Sequence, residues 1–315
     1  MRREISWRVQ KEDAGRLLKH FLKVPMGLSE KEIRRAKFRE EGIRVNGKRR
    51  KTNALLSEGD RVEVLLETGE ETSSRLTVSR LPLHILYEDG DLIVVNKPSG
   101  LKTHPNSRGE EDTLANRLAA YLRDKGEDSV VRIAGRLDKD TSGAVLAVKN
   151  RAAGARLARQ RERGDFSKTY LALARDLPEE RTGWIRAPIG PDPEQKGRMR
   201  ISPGGKEAVT WYEVLGEGKG FSLIRLQIFT GRTHQIRVHM AYLGCPLLGD
   251  PLYGKKIRDK DKSPGILEIP SLGRTALHAA ELVVLQPFTG EKIVVRVPFP
   301  EDMKEIYLPD PVSLC

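Results

Sequence analysis

Three short stretches of this chain carry side chains able to attack, to move protons or to stabilise charge. In the first, Gly135-Arg136-Leu137-Asp138-Lys139-Asp140-Thr141-Ser142-Gly143, carboxylates sit among cations just ahead of an apolar run. That is a loop at a strand end, where catalytic groups often lie. As a bare pattern it is also an ordinary Asp-Lys-Asp turn. The second, Phe166-Ser167-Lys168-Thr169-Tyr170, leads a phenol into a strand, a place more often given to packing. The third runs from Thr230 to Met240, T-G-R-T-H-Q-I-R-V-H-M, and follows a strand. Ile236, Met240 and Leu243 fall at helical spacing before Gly244, which predicts a helix on which His234 and Arg237 share a face. His234 and His239 are five apart and do not meet on one helix face, and no Cys, Asp or Glu nearby completes a zinc set. The chain has no P-loop lysine motif, no G-x-G-x-x-G opening a helix after a strand and no G-x-S-x-G elbow. No metal and no cofactor is expected, so any reaction rests on side chains.

These residues need a scaffold. Strands are predicted at Asp91–Asn96, Ala144–Lys149, Lys168–Ala174, Val209–Leu215 and Phe221–Ile228, and helices at Thr113–Leu122 and Ala152–Arg161. Short strands with few helices between them predict α+β architecture with a mainly antiparallel sheet. Residues 1–66 read as a separate small α/β module. Asp13 is expected to cap a helix with Leu17, Leu18, Phe21 and Leu22 on one face. Ser29 and Glu32 form a capping box for a second helix, stopped by Gly42. Ile43 and Val45 lead into Asn46-Gly47, a hairpin signal, and a strand resumes at Arg61–Val64. Residues 67–80, rich in Glu, Ser and Thr, read as a linker to a domain spanning 81–315.

Charge points to the partner. The 315 residues hold 56 Lys and Arg against 44 Asp and Glu, a formal charge of +12. Between Lys31 and Lys51 there are ten Lys and Arg against three Asp and Glu. A helix face bearing Arg34 and Arg35, next to a turn of Lys48, Arg49 and Arg50, makes a compact phosphate-binding surface. The bland alternative is a solvated helix face. No apolar run approaches the roughly 18 residues of a membrane helix. The opening MRREISWRVQKED lacks the apolar core of a secretory signal. Cys245 and Cys315 are too few and too far apart for a disulfide framework, which predicts a reducing, cytoplasmic setting.

The ordered set G-R-L-D-K-D-T-S-G, S-K-T-Y-L-A-L, T-G-R-T-H-Q-I-R-V-H-M and G-D-P-L-Y-G resembles the RluA-type RNA pseudouridine synthases. D-L-I-V-V-N-K-P-S-G at Asp91–Gly100 and A-L-H-A at Ala276–Ala279 match as well, so the resemblance spans about residues 83 to 300. One departure is Gly135, where this family usually has His; Gly there is more typical of the sister group of small ribosomal synthases. The first fifty-odd residues resemble the small RNA-binding module named after ribosomal protein S-four.

The resemblance implies a mixed, mainly antiparallel sheet with a central cleft, no cofactor, Asp138 as catalytic aspartate, Tyr170 as active-site tyrosine and Arg237 as partner of the aspartate. Arg237 is expected to hold the carboxylate by charge and a two-pronged hydrogen bond. Asp138 then attacks the anomeric carbon, or takes the 2′ proton as a base; the residues do not choose between these. The uridine must leave its stack, with Arg136 taking the vacancy or a phosphate. Lys168, Arg232 and His234 join Arg136 as expected substrate contacts. Ribosomal RNA is the first choice of partner, transfer RNA the second, and the chain is expected to act as a monomer. A non-enzymatic RNA-binding protein would not need Asp138, Tyr170 and Arg237 together. A nucleoside hydrolase would release free uracil.

Overall fold

The computed structural model describes residues 2–67, 79–107, 110–127, 132–254 and 272–307. Residues 68–78 of the expected linker, and Cys315, lie outside the described residues.

The N-terminal part comprises β1 (Arg2–Arg8), α1 (Leu18–Lys23), α2 (Glu30–Lys37), β2 (Ile43–Val45), β3 (Lys48–Arg49) and β4 (Arg61–Glu67). Its strands form one antiparallel sheet in the order β1-β4-β2-β3. The capping box is present: the Ser29 amide donates to Glu32 at 2.7 Å and the Glu32 amide donates to Ser29 Oγ at 3.3 Å. Asn46 and Gly47 both take positive φ, 54° and 75°, as the mirror-image hairpin turn requires.

Three local expectations fail. Asp13 does not cap α1; it lies in an earlier single turn and pairs with Arg16 at 3.0 Å. Leu17 is not on the buried face but precedes the helix and is 48% exposed, while Leu18, Phe21 and Leu22 are fully buried. Gly42 does not stop α2, which ends at Lys37 with Phe38 as its C-cap. Glycine is needed there for another reason: a β-carbon would stand 1.9 Å from the Ala36 carbonyl oxygen. β1 was not foreseen either. Its sequence, RREISWR, is a strand because it pairs along its whole length with β4, some sixty residues away.

The rest of the chain builds β5 (His84–Glu88), β6 (Leu92–Lys97), α3 (Leu114–Asp124), β7 (Arg132–Ala134), β8 (Ser142–Val148), α4 (Arg151–Arg163), β9 (Ser167–Arg175), β10 (Thr182–Arg186), β11 (Ile189–Pro191), β12 (Met199–Ile201), β13 (Val209–Gly218), β14 (Phe221–Ile228), α5 (Gln235–Tyr242), β15 (Leu277–Leu285), β16 (Lys292–Arg296) and α6 (Glu301–Lys304). The main sheet runs β10-β13-β14-β9-β15-β8-β6-β5, with β16 beside β15 and β7 beside β8. Its described pairings are antiparallel except β15 with β8, so the sheet is mixed and mainly antiparallel, as anticipated. Ile93, Val95, Val145, Ala172, Ile224 and Leu226 fill the core beneath it. The parallel seam depends on Gly143, whose φ is +109° and where a β-carbon would lie 2.3 Å from the Ala279 carbonyl oxygen.

α4 is the strut between the two parts. Ala152 joins the apolar cluster of the N-terminal part. Arg156 donates to the Met26 carbonyl, and Arg159 Nη1 to the Gly27 carbonyl at 2.6 Å. Among the described residues no helix is long and apolar enough to cross a membrane.

Candidate active site

The three motifs converge because the sheet order brings β8, β9 and the end of β14 together. Residues of the 135–141 loop, β9 and the 229–237 segment line a cleft of about 400 Å³. The loop is laced to the segment after β6. Lys97 Nζ donates to the Lys139 carbonyl at 2.9 Å and Ser99 Oγ to that of Asp140 at 2.9 Å. Thr103 Oγ1 donates to the Leu137 carbonyl at 2.6 Å. Asp138 is thus presented by a loop with little freedom.

Arg237, on the first turn of α5, approaches Asp138 Oδ2 with Nη1 at 3.4 Å. Its fork is not spent there, contrary to the sequence expectation. Nε and Nη2 grip both oxygens of the fully buried Asp250 carboxylate, at 2.7 and 2.8 Å. The guanidinium is clamped from behind and offers one remaining edge to Asp138. His234 stands just before α5 in the left-handed region, φ 55°, which is sparsely populated for a side chain of this size. Its imidazole makes no helix cap. Instead Nδ1 meets the Tyr253 hydroxyl at 2.9 Å and Nε2 lies 4.0 Å from Asp138 Oδ2. Burial pushes the imidazole below its usual range, outweighing the nearby Asp138 charge.

Tyr170, on β9, is buried in the cleft wall. Burial first, and the Asp138 charge second, push its phenol up, so it stays protonated at neutral pH. Lys168 lies two residues earlier and is also buried, its Nζ 3.4 Å from the Ala144 carbonyl. Burial and the charge of Arg161 pull the amine down to about 7. Arg136 is exposed at the rim and makes no hydrogen bond or ion pair with a described residue. Arg232 is tied by Nε to the Glu207 carbonyl at 2.8 Å. Gln235 straps this corner to β13, accepting from the Arg232 amide at 3.0 Å and donating to the Val209 carbonyl at 2.9 Å.

Residues 91–242 match the RNA pseudouridylate synthase family. RNA pseudouridine synthase YhcT of Bacillus subtilis, itself named as uncharacterized, is 41% identical over 84% of this chain and 83% of its own length. The chain belongs to the RNA pseudouridine synthases, of the RluA type. Ribosomal large subunit pseudouridine synthase D of Vibrio cholerae is 40% identical over 76% of this chain and 74% of its own. Human RNA pseudouridylate synthase domain containing 1 superposes with TM-score 0.54 at 30% identity, covering 70% of this chain and 84% of that one. The synthase is therefore an isomerase acting on RNA.

The seven residues singled out in the sequence beyond residue 80, Asp138, Tyr170, Arg237, Arg136, Lys168, Arg232 and His234, all line this cleft. Arg34, Arg35, Lys48, Arg49 and Arg50 are exposed in the N-terminal part instead, where Arg49 Nη2 contacts the Lys37 carbonyl at 3.4 Å. Arg44, in the same basic run, faces Glu4, Glu41 and Glu63, so its charge is partly spent on the fold. Four residues of the site were missed. Asp250 and Tyr253 belong to G-D-P-L-Y-G, a motif that was legible without a role. Arg161 lines the cleft from α4 with its guanidinium over the Phe166 ring, 4.7 Å away. Gly135 makes room for it: φ is +87°, and a β-carbon there would meet Arg161 Nη2 at 2.4 Å. Phe229 lines the cleft mouth, and nothing in its sequence setting marked it.

Proposed function

We propose that this synthase isomerises uridines in structured ribosomal RNA, with Asp138 as the reacting carboxylate. The observation that carries the reading is the Asp250–Arg237–Asp138 chain: a buried pair fixes one cation edge 3.4 Å from the only carboxylate among the residues lining the cleft. The bond from C1′ to N1 breaks, the uracil turns, and C1′ bonds to C5. The proton lost from C5 is balanced by the one gained at N1, so neither an oxidant nor a leaving group is required. Asp138 serves as nucleophile at C1′ or as base toward the 2′ position. Tyr170, held protonated, supplies a ring face and a hydroxyl to the base rather than a phenolate. A paired uridine is out of reach in such a cleft and is flipped at a cost of a few kcal/mol, with exposed Arg136 available to fill the gap or hold a phosphate. Lys168, Arg232 and His234 supply further contacts along the same wall. The names of relatives such as the Vibrio cholerae enzyme support ribosomal over transfer RNA. The first 66 residues form the RNA-gripping module of this reading, supported by the exposed Arg34, Arg35, Lys48, Arg49 and Arg50.

The test is Asp138→Asn in single-turnover assays on ribosomal RNA, with pseudouridine mapping of RNA from cells lacking the gene. Product formation should fall by about 10²- to 10⁴-fold or more with RNA affinity retained, since neither nucleophilic nor basic chemistry survives. Turnover near wild type would remove Asp138 from the mechanism. Unmodified uridines confined to transfer RNA would move the substrate to the second choice.

A further inference from the structure

One face of the sheet beside the cleft carries aromatic side chains that the mechanism does not use. In register across β10, β13 and β14, Trp184 lies opposite Trp211, and Trp211 opposite Gln227. Arg186 and Phe229 are two residues further along, so they point to the same side. The opposite side of these strands, with Ile185, Tyr212 and Leu226, is buried in the core. Trp184 and Phe229 are 51% and 59% exposed, yet their rings meet in a tilted pair with centroids 5.0 Å apart. The Arg186 guanidinium sits 5.3 Å from the Trp184 ring and makes no hydrogen bond or ion pair with a described residue. On the same face Glu213 is paired with Arg225 at 3.1 Å and does not neutralise Arg186. The patch is continuous with the catalytic site, because Phe229 lines the cleft itself.

We infer that Trp184, Phe229 and Arg186 form a stacking platform for an unpaired nucleobase of the RNA strand next to the target uridine, with Arg186 on its phosphate. This rests on the proposed reading of the cleft and extends it from the flipped base to its neighbour. An exposed aromatic pair offers every base a π-face, and a cation free of protein anions suits the backbone that accompanies it. A flipped uridine leaves the adjoining nucleotide without its stacking partner, so a ring at the cleft mouth stabilises the opened strand.

The test measures binding of a 12-nucleotide oligouridylate, and of an abasic ribose-phosphate 12-mer, to the full-length protein across a salt series. Trp184→Ala should weaken oligouridylate binding about fivefold or more. It should leave the abasic strand and the salt slope unchanged, and Trp184→Phe should restore most of the loss. Arg186→Gln should weaken both strands alike and lower the slope of log affinity against log salt by about 0.7. Melting temperatures identify any variant that fails to fold. Equal affinity of Trp184→Ala and wild type for oligouridylate, or an equal loss on the abasic strand, overturns the platform. So does sedimentation showing that Trp184→Ala converts a dimer to a monomer, which would make the patch a self-association face. Absence of product from the wild-type enzyme on ribosomal RNA, with this binding pattern intact, would instead refute the reading of the cleft.

Discussion

At the scale of single residues, the proposed chemistry is organised around a carboxylate that another carboxylate serves indirectly. Asp250 does not reach the cleft, but its two bonds to Arg237 decide where the free guanidinium edge points. Removing one partner of a buried ion pair strands the other, at about 3–5 kcal/mol. Asp250→Asn should therefore lower both the melting temperature and the single-turnover rate, the rate by about tenfold or more. Arg237→Lys keeps the charge but has no fork to engage Asp250 and Asp138 together. Its rate should fall at least as far, with RNA affinity changed less than the rate. Single-turnover rates and binding on one RNA measure both. A rate within twofold of wild type for Arg237→Lys would make the arginine a structural residue only. His234 pays for its position with a left-handed backbone, and Tyr253 holds its ring in place.

Among the elements, the seam between β8 and β15 governs the cleft, because the loop bearing Asp138 runs directly into β8. At Gly143 the strands approach too closely for any side chain. Gly143→Ala should lower the melting temperature by more than about 5 °C, since it adds a steric clash to an unfavourable φ. One pair further along the seam, His278 Nδ1 meets Ser142 Oγ at 2.9 Å, and burial pushes the imidazole down to about 4. The unfolded chain takes up this proton near 6.5, the folded one only near 4. The stability linked to His278 is thus fully present above pH 6.5 and is lost as the pH falls towards 4, at most about 3 kcal/mol. The imidazoles of His104, His234 and His239 are pushed down as well and act in the same direction. Melting temperatures recorded from pH 7 to 4.5 should fall, and His278→Gln should flatten that fall. A pH dependence unchanged by the substitution would assign it to the other groups.

For the whole molecule, α4 matters most. Its first turns hold the N-terminal part through Ala152, Arg156 and Arg159, while its last turn carries Arg161 into the cleft. In the proposed reading, RNA gripping and chemistry thus share one helix. A protein lacking residues 1–75 should lose RNA affinity more than saturated rate, because the cleft residues all lie beyond the deletion. Three or four lost phosphate contacts should flatten the slope of log affinity against log salt by about 2 to 4. Replacing Arg34, Arg35, Arg49 and Arg50 by Gln should give part of that change with α4 still covered. Coincident slopes would reduce the basic surface to solvated charge. A collapse of the saturated rate in the truncated protein alone would mean that docking on α4 sets the position of Arg161.

Local rules made much of this protein legible in advance. The Ser29 capping box, the Asn46-Gly47 turn, the strand at Phe221–Ile228 and the ordered motifs holding Asp138, Tyr170 and Arg237 need only neighbouring residues, and they lie where the pattern puts them. What short-range pattern does not contain is pairing between distant segments. β1 is a strand because β4 accepts it, and Gly143 is a glycine because a β-carbon there would come within 3 Å of the Ala279 backbone. The same holds for the fork of Arg237, which the sequence assigned to Asp138. A guanidinium chooses between carboxylates by distance and burial, and only the folded chain brings Asp250 within 2.7 Å and excludes water from it.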